Sequence, residues 1–555
     1  MKYIIILLLL LNSANVFSQT IWAKQIIGGG FSGPNIYEQP NGNYIIKGVG
    51  IQEYDTNGNM INRAFYQDMI TYSMVQTGDG SYAFTGVGWN NEFSGAILFK
   101  MSAEGDSLWT KFYGGDEIDR GYDLQQTADG GYFMVGYSES FYTMYAGEPQ
   151  QQFGMYLIRT DEYGDTLWTT VHEYNVSGPA EIAYCVAKNE ANNSYIVGGV
   201  SGNLETFEAY MYYYNIDDNG EVLWQHSVDY TDGFSTSAIF DIEPTNDGNF
   251  ILAGGHSYDA TNILSDAILI KINGEGETLQ SNTYTFDAAL EATEGLVYIE
   301  YAREVKATND DGYIVIGEYG DFPTLWKVDE NLEMQWYKQF TSSSVGEIRA
   351  VLPTSDGGYL LFGRHLPSGS FLIKTDSLGN CEPTASYDFS LTDSLSLSLT
   401  SSSIAANTVT WHFGDGDTLL VDTLQTQSIA HNYEEAGIYE VCLVAQNLCA
   451  NDTLCQNINI GNVSSADFWK KSDLAIYPNP TKNEVYITAK FPKKVSQYNI
   501  RIYDATSCLL KEENNLSLHS DKLQTHFSLE NYAKGIYFVE IVADEFSVFE
   551  KIVKF

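Results

Sequence analysis

At 555 residues the chain exceeds what one ordinary hydrophobic core organises, so several domains are expected. Hydrophobic residues supply 44% and aromatic ones 14%, ample for burial, while acids outnumber bases 72 to 29. The net charge of -43 repels phosphate backbones and anionic lipid, which argues against a nucleic-acid or membrane-surface partner. Such a surface suits solubility outside the cell and, at most, loosely bound calcium; no other cofactor or metal is expected.

Lys2 precedes an apolar run from Tyr3 to Leu11, and Val16-Phe17-Ser18 follows at cleavage-site spacing. Residues 1–18 therefore read as a signal peptide. The run is too short to span a bilayer and no later stretch is long enough, so no transmembrane segment is expected.

From residue 19 to 379 one pattern returns seven times. Its clearest copy is Thr127-Ala128-Asp129-Gly130-Gly131-Tyr132, with Gly136 four residues after the aromatic. The aromatics are Tyr44, Tyr82, Tyr132, Tyr195, Phe250, Tyr313 and Tyr359, and the glycines Gly48, Gly86, Gly136, Gly199, Gly254, Gly317 and Gly363. A second hairpin follows in each unit, with its turn glycine at Gly58, Gly105, Gly164, Gly220, Gly276 or Gly379. Repeats of 38 to 63 residues with period-two alternation predict four antiparallel strands per unit, the recipe of a β-propeller.

The last unit lacks a Trp-bearing fourth strand. Ile21-Trp22-Ala23-Lys24-Gln25, at the other end, matches the strands around Trp109, Trp168, Trp224 and Trp336. The N-terminal strand is predicted to complete blade seven and close the ring.

Turns within the hairpins are short, whereas the opposite face collects long connections: Tyr137 to Phe153, Ser257 to Ser265, and Phe286 to Glu300. Function is expected there. Phe141, Tyr142 and Tyr145 are candidates for contacting a sugar or peptide, the alternative being a loop that packs its own aromatics. Arg303 and Arg349 occupy equivalent places in the innermost strands of blades six and seven, and Arg120 lies near the corresponding end of blade three. Two or three guanidiniums facing the channel would suit a carboxylate or phosphate. The alternative is that each pairs with a nearby acid such as Glu304 or Glu347.

Thr-x-Asp-x-Gly turns at Thr127 and Thr354 partly resemble the Asp-box of sialidases, though its Trp is missing. There is no GxSxG, HExxH or P-loop, and the eight histidines lack ligand spacing. No catalytic residue is assigned. A glycan-active hydrolase or lyase using the channel stays the runner-up to a non-enzymatic binding or adhesion protein. A structural surface-layer or gliding component is the third reading.

Trp411-His412-Phe413-Gly414-Asp415-Gly416, with Gly437-Ile438-Tyr439-Glu440-Val441, resembles a PKD domain, an immunoglobulin-like β-sandwich, over 380–462. The resemblance implies a spacer or contact module without catalysis. Cys442 and Cys455 flank a turn near Leu448 and would pair across a hairpin, leaving Cys381 with Cys449; other pairings remain open.

After a linker at 463–472, residues 473–555 open on Tyr477-Pro478-Asn479-Pro480. They close with the Gly535-Ile536-Tyr537 strand and the basic-apolar Lys551-Ile552-Val553-Lys554-Phe555. This resembles the type A C-terminal sorting domain of the type IX secretion system of Bacteroidetes, a second β-sandwich. The resemblance implies recognition by the translocon and a sortase, and a product that is secreted or attached at the outer-membrane surface. Polysaccharide or glycoprotein is the expected extracellular partner. The expected fold is thus all-β: a seven-bladed β-propeller followed by two Ig-like β-sandwich domains.

Overall fold

A computed structural model describes residues 21–26, 35–48, 50–66, 68–89, 94–140, 142–145, 148–151, 154–172, 179–203, 208–228, 237–257, 265–286, 300–319, 322–341, 345–365, 369–392, 395–422, 428–461, 474–490, 497–505, 508–517, 522–543 and 546–555. The signal peptide, Phe141 and the 463–472 linker lie outside these residues, as do 146–147, 152–153, 258–264 and 287–299 of the long connections.

Seven four-stranded antiparallel sheets form the propeller. Their innermost strands are Ile36–Glu38, Met69–Gln76, Asp119–Gln126, Pro179–Asn189, Ser237–Pro244, Glu300–Ala307 and Val345–Pro353, defining blades one to seven. The second strands are buried almost without interruption, as in Tyr132–Ser138, because they pack against blades on both sides. Outer strands such as Val222–Val228 alternate half-buried and exposed residues.

Trp22–Ile26 pairs antiparallel with Ser370–Thr375 and becomes the fourth strand of blade seven. The ring is closed by both ends of the propeller segment. One contact repeats around it: an outer-strand Trp lies flat on the left-handed turn glycine of the next blade. Trp22 covers Gly58, Trp109 covers Gly164, Trp168 covers Gly220, Trp224 covers Gly276 and Trp336 covers Gly379. A Cβ on any of these glycines would sit 2.7 to 3.2 Å from the indole. Blade five has no Trp in its outer strand, and the next turn carries Leu332 at φ 59 instead of glycine. The Leu332 side chain is fully buried in the apolar cluster that holds Tyr284 and Trp326.

The Thr-x-Asp turns explain the first hairpins. In five blades the Asp accepts a hydrogen bond from the Thr hydroxyl two residues earlier: Thr77–Asp79, Thr127–Asp129, Thr245–Asp247, Thr308–Asp310 and Thr354–Asp356. A base from the third strand then pairs with it, respectively Lys100, Arg159, Lys271, Lys327 and Lys374, at 2.8 to 3.0 Å. These carboxylates hold the turn to the sheet.

Two sandwiches follow. In the first, the sheets built on Ser396–Ser401 and on Gly437–Gln446 enclose Trp411, Leu397, Leu399 and Val441. Its disulfides are Cys442–Cys455 and Cys381–Cys449, the expected pairs. Cys381 belongs to the apolar cluster of blade seven, with Leu448 and Cys449 packed against it, so this bridge fastens the sandwich to the propeller. In the second, Tyr477 lies on one strand, and Asn479 bonds the final strand through Lys551 O at 2.6 Å and Val553 N–H at 2.9 Å. Gly535 opens the central strand Gly535–Ala543. No helix among the described residues is long and apolar enough to cross a membrane.

Candidate functional site

The glycine four residues after each repeat aromatic has a geometric task. A Cβ on Gly86, Gly136, Gly199, Gly254, Gly317 or Gly363 would fall 1.8 to 2.2 Å from a backbone carbonyl oxygen of the adjacent innermost strand. Absence of the side chain lets that strand bulge by one residue opposite the glycine. The extra residues are Tyr72, Tyr122, Tyr184, Phe240, Arg303 and Arg349, in blades two to seven.

All six line a cavity of about 490 Å³ on the propeller axis, together with Tyr301 and a floor that includes Asn35, Ser73, Asp123, Cys185, Asp241 and Glu304. The aromatics form an arc. Ring centroids are 5.1 Å apart between Tyr72 and Tyr122, 5.5 Å to Tyr184, 5.7 Å to Phe240 and 5.6 Å from there to Tyr301. Each ring is half-buried, leaving part of it toward the cavity.

The floor residues tie blades together. Asn35 Oδ1 accepts from Met74 N–H at 2.8 Å. Asp123 accepts from the Ser73 hydroxyl at 2.6 Å and from Val186 N–H at 2.9 Å, spanning three blades. Asp241 accepts from Val305 N–H at 2.9 Å, and Glu304 from Val351 N–H at 2.7 Å. Lys306 sits beneath, 3.0 Å from Glu243, 3.5 Å from Glu304 and 3.6 Å from Asp241. Burial pushes the Asp123 carboxyl up to about 6 against the hydrogen bonds that favour its charged form. Burial also raises Glu304, opposed by Lys306.

Arg349 pairs with Glu347, Nε to Oε2 at 2.8 Å. Arg303 is less engaged. Its Nη2 faces the Tyr301 hydroxyl at 3.4 Å, and its buried Nε has no hydrogen-bond partner among the described residues. Arg364 Nη1 lies 4.0 Å from Glu347. Of the protein's seven arginines, three therefore gather at this sector. Burial raises the Glu318 carboxyl, whereas Glu347, despite burial, is held low by Arg349.

The structure thus brings Arg303 and Arg349 together on the cavity wall. Arg120 is not among the lining residues; its guanidinium lies 5.5 Å over the Tyr137 ring. Tyr142 and Tyr145 are on the strand Tyr142–Tyr145 of a separate hairpin in blade three. The arc of Tyr72, Tyr122, Tyr184 and Phe240 was not foreseen from sequence. In the first sandwich, Asp415, Asp417 and His431 offer ligand atoms within 4.8 Å of one another. His431 Nε2 already meets Asp415 at 2.7 Å, and its ring stacks on Phe413 at 3.8 Å.

Comparison with known proteins adds two domain assignments. Residues 475–554 match the family of secretion system C-terminal sorting domains, and residues 382–460 match the PKD domain family. No curated protein matches the chain. Similar solved structures include a periplasmic gluconolactonase of Pseudomonas aeruginosa, PpgL (12% identity, 64% of this chain and 98% of that one, TM-score 0.40). The Dos1 propeller is another (10% identity, 65% and 81%, TM-score 0.37). A third is the extracellular domain of BT3049 from B. thetaiotaomicron (10% identity, 79% of this chain, TM-score 0.36), of which the chain spans 55%. At these scores the likenesses say nothing of activity. The sorting domain makes the protein a type IX secretion cargo, secreted or attached at the cell surface.

Proposed function

We propose that the protein is an exported, non-enzymatic binding protein in which the propeller's axial cavity receives the ligand and the PKD domain acts as a spacer. The observation supporting this is the cavity wall: five aromatic rings and two guanidiniums converge there, while Asp123, Asp241 and Glu304 are engaged in hydrogen bonds between blades. Pockets of this size, mostly aromatic with a few oriented polar groups, are the usual form of small-ligand sites. The test is binding of the mature chain to arrayed polysaccharides, glycoproteins and peptides. Saturable binding that is lost when Tyr122 and Tyr184 are both replaced by Ala is expected. A blank array at high protein concentration overturns the reading.

One observation favours a second reading, a glycan-active hydrolase. Glu318 and Glu347 flank Arg303 and Arg349, and their environments push the two carboxyls in opposite directions, as an acid/base pair requires. Neither lines the cavity, and Glu347 is already paired with Arg349. Release of reducing ends from any bound glycan, abolished in Glu318→Gln, would establish this reading over the first.

A further inference from the structure

The ligand class can be read from the same cavity, and this step rests on the binding reading above. The wall is two-sided. Blades two to five contribute only rings at the bulge position, and blades six and seven only guanidiniums. Four of the five rings of the arc are tyrosines, so the apolar faces are edged with hydroxyls. A ligand that matches must present a C–H face to the arc, hydroxyls to its rim, and an anionic group at one end. An apolar aromatic acid would offer the hydroxyl edges of the arc nothing to bond. A neutral sugar offers the Arg303 guanidinium, whose Nε has no partner among the described residues, only hydroxyl oxygens, whereas a carboxylate adds charge to the same bonds.

We propose that the cavity binds a carboxylated sugar ring, a uronic-acid unit of an extracellular polysaccharide. Its carboxylate lies on Arg303 with Arg349 alongside, and its ring face lies on the Tyr122–Tyr184 part of the arc. A guanidinium fork donates two parallel N–H···O bonds to a planar carboxylate, which distinguishes it from a lysine point charge. Arg303 is the anchor because Arg349 and Arg364 share Glu347. The surrounding charge makes this selective. A net charge of -43 opposes a polyanion over the molecule as a whole while the arginine cluster attracts one locally, so one carboxylated unit is favoured over a densely sulfated chain.

The experiment is calorimetric titration of the full mature chain with oligomers of glucuronate and galacturonate, neutral glucose and galactose oligomers, a sulfated glycan and inorganic phosphate. Binding of one uronate series at least tenfold tighter than its neutral counterpart is expected. Arg303→Gln should weaken the uronate at least tenfold and the neutral oligomer less than threefold, and Arg303→Lys should restore only part of the loss. Lys111→Gln, an exposed pair with Asp165 on the outer strand, should change nothing. Unfolding midpoints of all variants report whether the fold is intact. If Arg303→Gln unfolds the chain, Arg349→Gln gives the same comparison. Equal affinity for neutral and uronate oligomers, tighter binding of sulfated glycan or phosphate, or uronate binding insensitive to both arginines overturns the assignment. In those cases the binding reading survives. A blank titration on all arms together with a blank array removes both.

Discussion

Replacing Gly136 by Ala tests the link between the repeat and the site. A Cβ there would lie 1.8 Å from the Arg120 carbonyl oxygen, 2.8 Å from its carbon and 3.0 Å from Gly121 Cα. Ordinary contact needs more than 3 Å, so the innermost strand of blade three must move by over an ångström. All three obstacles are backbone and cannot rotate away. Overpacking of a tight interior costs about 1–3 kcal/mol, and a backbone collision belongs at or above the top of that range. The control is six residues away in the same blade. Gly130 has φ +86 with only Glu162 Cβ, at 3.7 Å, in reach, so Gly130→Ala carries the left-handed penalty alone, about 1 kcal/mol. For a domain this large each kcal/mol moves the midpoint by about 2 °C. Differential scanning calorimetry of the mature chain should then show a loss of roughly 6 °C or more for Gly136→Ala and roughly 2 °C for Gly130→Ala. Ligand binding should fall in the first variant, because removing the bulge turns Tyr122 away, and persist in the second. If Gly136→Ala is the milder change, or leaves binding intact, the bulge is not what places the wall residues.

Further outcomes follow from other contacts. Trp22→Ala removes a buried indole that covers Gly58 and donates to Thr56 O at 2.9 Å; it should cost about 3–5 kcal/mol, whereas an N-terminal strand merely lying on the ring would cost under about 1, as read by thermal unfolding. The Cys381–Cys449 bridge closes a separation of 68 residues, so Cys381→Ala with Cys449→Ala should lose roughly 4 kcal/mol and expose the joint with the PKD domain to proteolysis. Five turn carboxylates, Asp79, Asp129, Asp247, Asp310 and Asp356, are held below the usual range by their Thr and Lys or Arg partners. Their folded values lie below the unfolded one near 4, so the stability they add is present above pH 4 and lost as pH falls through the folded values; the midpoint should drop as the pH is taken below about 4. Asp123, raised to about 6, acts in the opposite sense between pH 4 and 6, and Asp123→Asn should flatten that part of the profile. Deleting residues 474–555 should leave the protein inside the cell envelope, detected by fractionation.

The blade count was legible because the aromatic is forced by packing between sheets and, in blades two to seven, the glycine four residues on is forced by the bulged strand. Closure was legible because one repeat lacked the fourth strand that Trp22 supplies. Blade six hid its second turn, since Leu332 adopts the left-handed conformation usually left to glycine. Arg303 and Arg349 were visible through charge, being rare residues in an acidic chain. The aromatic arc was not, because a tyrosine in a tyrosine-rich strand carries no contrast. A signal existed. Fourteen residues before Gly86, Gly136, Gly254, Gly317 and Gly363 stand Tyr72, Tyr122, Phe240, Arg303 and Arg349, and fifteen before Gly199 stands Tyr184. Reading it required knowing that the glycine marks a bulge, which only the pairing register reveals.

The most direct measurement is a crystal structure of the mature chain soaked with a short oligouronate. The account predicts density in the axial cavity, with the carboxylate on Arg303 and a pyranose face against Tyr122 and Tyr184. An empty cavity under saturating oligouronate, or density only on the loops outside it, would contradict the account.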